Sequence, residues 1–177
     1  MCREEEGLVI LFAAVVIVAF ITDVRKMIIP NELTAFAALS GVSWHLISEG
    51  WPGLWFAGMG LATGFALLVG LYAAGALGAG DVKLFAGIGA MMGTVFVFQC
   101  VLYSLLLAGL IGLLIALFRK MTLQLACTMT YWAISFCLRE NRLRLRDFRQ
   151  MSSIRFPFMY AVLPGAAVAL WYHPLPV

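Results

Sequence analysis

The longest uncharged stretch of the chain limits what it can fold into. Between Lys83 and Arg119 there is no Asp, Glu, Lys or Arg. A single helix over residues 82–118 would exceed about 50 Å at about 1.5 Å per residue, whereas bilayer hydrocarbon is about 30 Å thick. The stretch must therefore break, and we place the break at Gly93 and Thr94. This predicts a short helix over 82–92 and a full-length helix over 94–118.

The composition is that of an integral membrane protein. Of the 177 residues, 63% are hydrophobic and 12% are charged, whereas soluble domains are about 45–50% apolar and about 25% charged. The length suits one compact domain over residues 1–177.

Four more apolar stretches complete a set of six candidate spans: residues 7–22, 33–47, 54–77 and 156–172. The first follows three glutamates and has no small-residue cleavage site before Asp23, so we interpret it as a retained span and not a signal peptide. The sequence therefore predicts an all-α, polytopic membrane bundle of about six transmembrane helices.

The basic residues predict which end of the bundle faces the cytoplasm. Eleven of the twelve Lys and Arg residues fall in three stretches: 25–26, 83 and 119–155. Six crossings place all three stretches on one face, which the positive-inside rule makes cytoplasmic, with both termini outside. In the predicted cytoplasmic loop 119–155, we interpret the apolar residues 121–138 as an amphipathic interfacial helix. A true span over 121–138 is the competing interpretation.

Two of the three aspartates are placed where ionisable groups are costly. Asp23 ends the first span and Asp81 opens the fourth, so both lie at the predicted cytoplasmic end, whereas Asp147 lies among arginines in the loop. Two facing carboxylates share one proton and titrate as a unit. Aspartic proteases use this arrangement, in which one carboxylate acts as general base and the other as general acid.

Two structural alternatives stay open for these aspartates. Asp23 can form an ordinary interfacial ion pair with Arg25 or Lys26, and Asp81 can be a plain N-cap, for which Asp is a preferred residue. Under the catalytic interpretation, Gly78 and Gly80 allow backbone conformations closed to other residues and let a peptide approach Asp81.

No residue pattern indicates a metal or a cofactor. The cysteines form no CxxC pair, and His45 and His173 are isolated in sequence, which favours structural roles for both. Phosphate-binding and dinucleotide-binding motifs are lacking. We therefore predict no metal, no cofactor and no nucleic-acid partner; membrane lipid is the expected surrounding partner.

The amino-acid sequences around the two aspartates resemble those of a known family. Residues 78–84, GAGDVKL, are similar to the GxGD signature of membrane aspartyl proteases in its prepilin-peptidase form. Residues 23–31, DVRKMIIPN, match a D-x-R-x-x-x-I-P-N segment in which that family places its first aspartate. The family usually has a third element, a Pro-aromatic pair that opens the last helix and a Gly within it. Phe156-Pro157-Phe158 and Gly165 resemble this element.

The resemblance implies a hydrolase of the bacterial cytoplasmic membrane. Such an enzyme removes the positively charged leader of prepilins or pseudopilins at the cytoplasmic face, cutting after a glycine, with Asp23 and Asp81 as the catalytic pair. The remaining residues of the two segments are implied to support the site. Gly78 and Gly80 shape the Asp81 loop, Arg25 belongs to the first segment, Pro30 and Asn31 end its loop and cap the second helix, and Lys83 acts on Asp81 or contacts substrate.

The departures from the family refine this expectation. The chain lacks the cytoplasmic insertion with paired CxxC motifs that accompanies N-methylation, so it resembles the short form that processes Flp-type (tight-adherence) pilins. The presenilin-like branch is disfavoured because Thr22 precedes Asp23 and Leu163-Pro164-Gly165 stands where a PAL motif is expected. An ion-coupled transporter and a non-catalytic secretion scaffold are the alternative functions. The substrate's identity and the oligomeric state are left open.

Overall fold

The computed structural model describes residues 2–118 and 158–172 and shows helices with no strand in those ranges. The helices are α1 (Cys2–Lys26), α2 (Asn31–Glu49), α3 (Trp51–Ala73), α4 (Ala79–Phe118) and α5 (Met159–Tyr172). The all-α prediction is confirmed. The predicted loop 119–155 and interfacial helix 121–138 lie outside the described residues.

Fewer spans than the predicted six are found in the described part of the chain. By length and composition, three helices can cross a membrane: Gly7–Lys26, Trp51–Ala73 and Ala79–Ile115. α5 is apolar but short, and α2 carries Glu32, His45 and Glu49 among several other polar residues, which lowers its hydropathy. The helical membrane bundle therefore stands, with a smaller number of full-length apolar helices than predicted.

α4 breaks at the predicted place. Gly93 has φ 82° and ψ 179°, which is not helical, so α4 consists of an N-terminal arm (79–92) and a C-terminal arm (94–118). A positive φ of this size favours glycine, and a side chain here would also collide with the ring of Phe56.

The N-terminal arm of α4 is the centre of the bundle. Between Asp81 and Gly93, Lys83 is the one exposed residue. A helix that is apolar on all sides is expected to be enclosed by others, and here small residues let the neighbours approach closely. Added Cβ atoms show this directly: one at Gly60 of α3 would collide with the backbone of Gly89, and one at Gly41 of α2 would lie 2.7 Å from the backbone of Ala90.

His45 is a structural residue, as its isolation in sequence predicts. It is buried on α2, and its Nε2 lies 2.9 Å from the carbonyl oxygen of Met91. A carbonyl only accepts hydrogen bonds, so Nε2 carries the proton. Met91 lies two residues before the break at Gly93, where helix carbonyls lose their partner in the next turn. His45 therefore stabilises the end of the N-terminal arm.

Five helix ends meet at one end of the bundle. α1 ends and α2 begins there, because residues 27–30 connect them, and α3 returns there to join α4 through residues 74–78. The last helix also begins there, since the Met159 N–H of α5 contacts Asp23 of α1. α3 ends four residues before the predicted limit because Gly75 turns the chain with φ 78°.

Residue contacts group the chain into two compact units. The first contains residues 1–108 and 157–177, and the second contains residues 109–156, of which 109–118 are described. The first unit holds both aspartates and the enclosed arm of α4. The prediction of a single domain stays a prediction.

The close packing of α3 on α4 gives a matched test. Gly60→Ala is expected to destabilise the bundle by about 1–3 kcal/mol, because its Cβ would push against the Gly89 backbone. Gly58→Ala is the control, since Gly58 is exposed on the same helix with nothing within 4 Å of an added Cβ. This control should be neutral or gain up to about 1 kcal/mol. Thermal unfolding in detergent measures both, and equal stability of the two variants would contradict the packing described.

Candidate active site

Asp23 is buried in the last turn of α1. Its side chain is 8% exposed, and its Oδ2 accepts a hydrogen bond from the backbone N–H of Met159 at 3.3 Å. Met159 is the first residue of α5, where backbone N–H groups have no partner within the helix and carry partial positive charge. The carboxylate of one helix therefore satisfies the start of another that lies far away in sequence.

Asp81 lies in the first turn of α4 and is 9% exposed. Its Oδ2 accepts a hydrogen bond from the backbone N–H of Gly78 at 3.1 Å. The helix begins at Ala79, so Asp81 is its third residue and not the N-cap that the structural alternative requires. The side chain instead reaches back to the residue before the helix, as the acidic residue of a capping box does.

The two aspartates lie at the same end of the bundle, although they belong to different segments of the chain. Asp23 is in the last turn of α1, and Asp81 is in the first turn of α4. The start of α5 packs against both helices. The ring centroid of Tyr160 lies 5.4 Å from that of Phe20 on α1, and the ring centroid of Phe158 lies 6.3 Å from that of Phe85 on α4. The expected neighbourhood of Asp23 and Asp81 at one end of the bundle is present.

The alternative of an interfacial ion pair at Asp23 is not observed. Within residues 2–118 and 158–172, no salt bridge joins Asp23 to Arg25 or Lys26. Both basic residues are exposed at the end of α1.

The next residue, Met27, has φ 52°, a left-handed conformation that ends α1 and costs a non-glycine residue about 1–2 kcal/mol.

Gly80 holds the two motif segments together. A Cβ added at Gly80 would lie 3.1 Å from the Cβ of Ile29, which immediately precedes Pro30. The connection between α1 and α2 therefore packs so closely on the first turn of α4 that a side chain at residue 80 would require Ile29 to shift by a few tenths of an ångström. This contact places the segment after Asp23 beside the segment that carries Asp81.

The predicted conformational role of the two glycines is wrong. Neither Gly78 nor Gly80 is among the residues with positive φ, so their backbone conformations are open to other residues. At both positions an added Cβ would instead have one close neighbour. At Gly78, an added Cβ would lie 3.2 Å from Oδ2 of Asp81, the oxygen that accepts the Gly78 N–H.

Lys83 and Asn31 form a second link between the motif segments. The Nζ of Lys83 donates a hydrogen bond to Oδ1 of Asn31 at 2.9 Å. Pro30 occupies the N-cap position of α2, as expected, but no side chain caps this helix, so capping by the Asn31 side chain is not observed. The described contact of Lys83 is thus with Asn31 and not with Asp81.

The last helix contributes more than its sequence indicates. The resemblance points to Phe158 and Gly165, and Gly165 does pack tightly on α4, where its added Cβ would lie 2.7 Å from Oγ of Ser104. Sequence reasoning missed the hydrogen bond from the backbone N–H of Met159 to Asp23, because a main-chain donor leaves no signature in the side chains. Phe156 and Pro157 lie outside the described residues.

The arrangement suits acid–base activation of water. Each carboxyl group is held through one oxygen by a backbone N–H, and each has a second oxygen with which to contact water or a carbonyl group. In the described ranges, no three His, Cys, Asp or Glu side chains gather as a metal site. The absence of a metal from the chemistry stays a prediction.

The amino-acid sequence was compared with known protein families and with curated proteins. Residues 10–117 match the type IV leader peptidase family, a range that includes both aspartates. The chain is 34% identical over 106 residues to the prepilin leader peptidase/N-methyltransferase of Bacillus subtilis (strain 168). That match covers 58% of this chain and 42% of the relative, and no solved structure matches the chain. Since the family match spans more than half of its length, the chain belongs to the type IV leader peptidase family.

Proposed function

We propose that the chain is a membrane aspartic endopeptidase that removes the leader peptide of type IV prepilins or pseudopilins of the Flp-like kind. The observation that carries this proposal is that two buried aspartates, Asp23 and Asp81, lie at one end of the bundle within the range that matches the family. An ion-coupled transporter or a scaffold has no comparable support.

The chemistry follows from a pair that shares one proton. The ionised carboxylate takes a proton from water while the water oxygen bonds to the scissile carbonyl carbon, and the protonated carboxyl group gives its proton to the carbonyl oxygen. The tetrahedral intermediate then collapses: one of its hydroxyl protons returns to the second carboxylate, and the first carboxyl group protonates the leaving amine as the C–N bond breaks. The pair again holds one proton.

The proposed location is the cytoplasmic face of the bacterial inner membrane. Arg25, Lys26 and Lys83 lie at the same end of the bundle as the aspartate pair, and basic residues favour the cytoplasmic side. We also propose that the product is not methylated, because the sequence holds no paired CxxC motifs. The methyltransferase activity in the relative's name is thus not extended to this chain.

Replacing either aspartate by asparagine is expected to abolish processing. Asp23→Asn and Asp81→Asn each retain a side-chain oxygen for the backbone N–H but remove a titrating group, so cleavage should fall by about 10²–10⁴-fold. The measurement is co-expression with a Flp-type prepilin, with the mass of the product read directly. Cleavage after the leader glycine without an added methyl group is the expected result for the wild type.

The control for this experiment is Glu49→Gln. Glu49 is an exposed carboxylate at the opposite end of α2, and its loss should leave cleavage unchanged. Full processing by either asparagine variant would overturn the proposed pair and favour a transporter or a scaffold. A product that carries an extra methyl group would contradict the single activity.

Gly80 gives a test of how the site is positioned. Gly80→Ala is expected to lower kcat about tenfold and Gly80→Val about 10²-fold, because each larger side chain pushes the Ile29 segment further from α4. The control is Gly70→Ala on α3, which has open space around an added Cβ. Cleavage kinetics on detergent-purified variants of verified fold measure the effect. Wild-type kcat in Gly80→Val would show that this contact does not position the aspartates.

A further inference from the structure

A groove whose lining includes neither aspartate lies on the surface of the bundle. It has a volume of about 410 Å³ and lies between α2, α3 and the N-terminal arm of α4. Its walls are the apolar residues Ala35, Ala38, Phe65 and Ala86, and its polar end is formed by Asn31, Thr34 and Lys83. We call this the lateral groove. We propose that it binds an anionic phospholipid, with the headgroup at Lys83 and Asn31 and an acyl chain along the apolar wall.

The polar end of the lateral groove offers hydrogen-bond donors. Oδ1 of Asn31 already accepts from Lys83, and the backbone carbonyl of Asn31 accepts from the Thr34 hydroxyl at 2.9 Å. The side chains of Asn31 and Lys83 therefore still offer N–H donors: two on the Asn31 amide and two on the Lys83 ammonium group. A donor-rich end with one positive charge is complementary to a phosphate group.

The apolar wall is open to the bilayer. Phe65 is 47% exposed and Ala35 is also exposed, so both face the lipid that surrounds the bundle. A peptide helix is about 10–12 Å across with its side chains and rises about 5.4 Å per turn, so about 410 Å³ holds less than one of its turns. A single acyl chain is the narrower occupant, and it is already present at high concentration around the protein.

The lateral groove is separate from the catalytic proposal. Asp81 and Lys83 are two residues apart on one helix, so their side chains point about 200° apart. The Asp81 carboxylate bonds to Gly78 at the start of its own helix, whereas Lys83 bonds to Asn31 of α2 and lines the groove. Lys83 and Asn31 nevertheless belong to the two motif segments, so a bound headgroup would join the ends of α2 and α4 beside the aspartate pair.

Native mass spectrometry of the full chain in detergent tests the proposal. Phosphatidylglycerol and phosphatidylcholine with identical acyl chains are added, and phosphatidylglycerol adducts are expected to prevail. Lys83→Gln should lower bound phosphatidylglycerol about fivefold, whereas Lys83→Arg should retain it. Lys26→Gln is the matched control, because Lys26 is an exposed cation at the same end that does not line the groove. An equal loss in Lys26→Gln, or none in Lys83→Gln, would overturn the proposal.

Two further arms identify the occupant. Ala35→Phe fills the apolar wall and should also lower lipid binding, whereas binding unchanged by Ala35→Phe would reduce the site to a phosphate contact and overturn the acyl-chain part. A benzophenone amino acid in place of Phe65, which is already aromatic and exposed, should crosslink to lipid in membranes, and a crosslink to a polypeptide instead would overturn the assignment. Asp81→Asn should bind lipid as the wild type does, so this result stands or fails independently of the peptidase activity.

Discussion

Backbone-to-backbone packing around the N-terminal arm of α4 is the constraint on which the rest of the structure depends. In a bilayer, lipid tails are as apolar as leucine, so helices associate through close contact and not through a hydrophobic drive. Gly60 against Gly89 and Gly41 against Ala90 provide that contact on two sides of the arm. Without these small residues the arm could not be enclosed, and Asp81 at its start would face lipid.

Enclosure alone would leave two carboxyl groups without partners at a depth where this is costly. The fold supplies these partners from helix starts. Asp23 accepts the first N–H of α5, and Asp81 accepts the N–H that precedes α4. Each aspartate therefore satisfies the start of a helix: Asp23 that of α5, and Asp81 that of its own helix, α4.

The sequence predicts those parts of this arrangement that depend on residue type. The uncharged stretch after Lys83 required a break, and Gly93 provides it with a backbone conformation that favours glycine. The two buried aspartates stand out from an apolar chain. The contacts that position them do not stand out, because the Met159 N–H is a main-chain atom and the Gly80–Ile29 contact depends on the path of two connections. The resemblance implied that Lys83 acts on Asp81 or contacts substrate; its observed partner is Asn31, because two residues along a helix turn Lys83 away from Asp81, and contact with substrate stays a prediction.

The break at Gly93 also has a consequence for the bilayer. The N-terminal arm spans residues 79–92, about 21 Å at about 1.5 Å per residue, which is shorter than the hydrocarbon thickness. A lipid-facing helix of that length would cause hydrophobic mismatch and thin the membrane around it. Because other helices enclose this arm except along the lateral groove, lipids elsewhere meet the surfaces of those other helices. The length of the arm, and with it the depth of Asp81, is therefore free of the thickness that the membrane imposes on the helices around it.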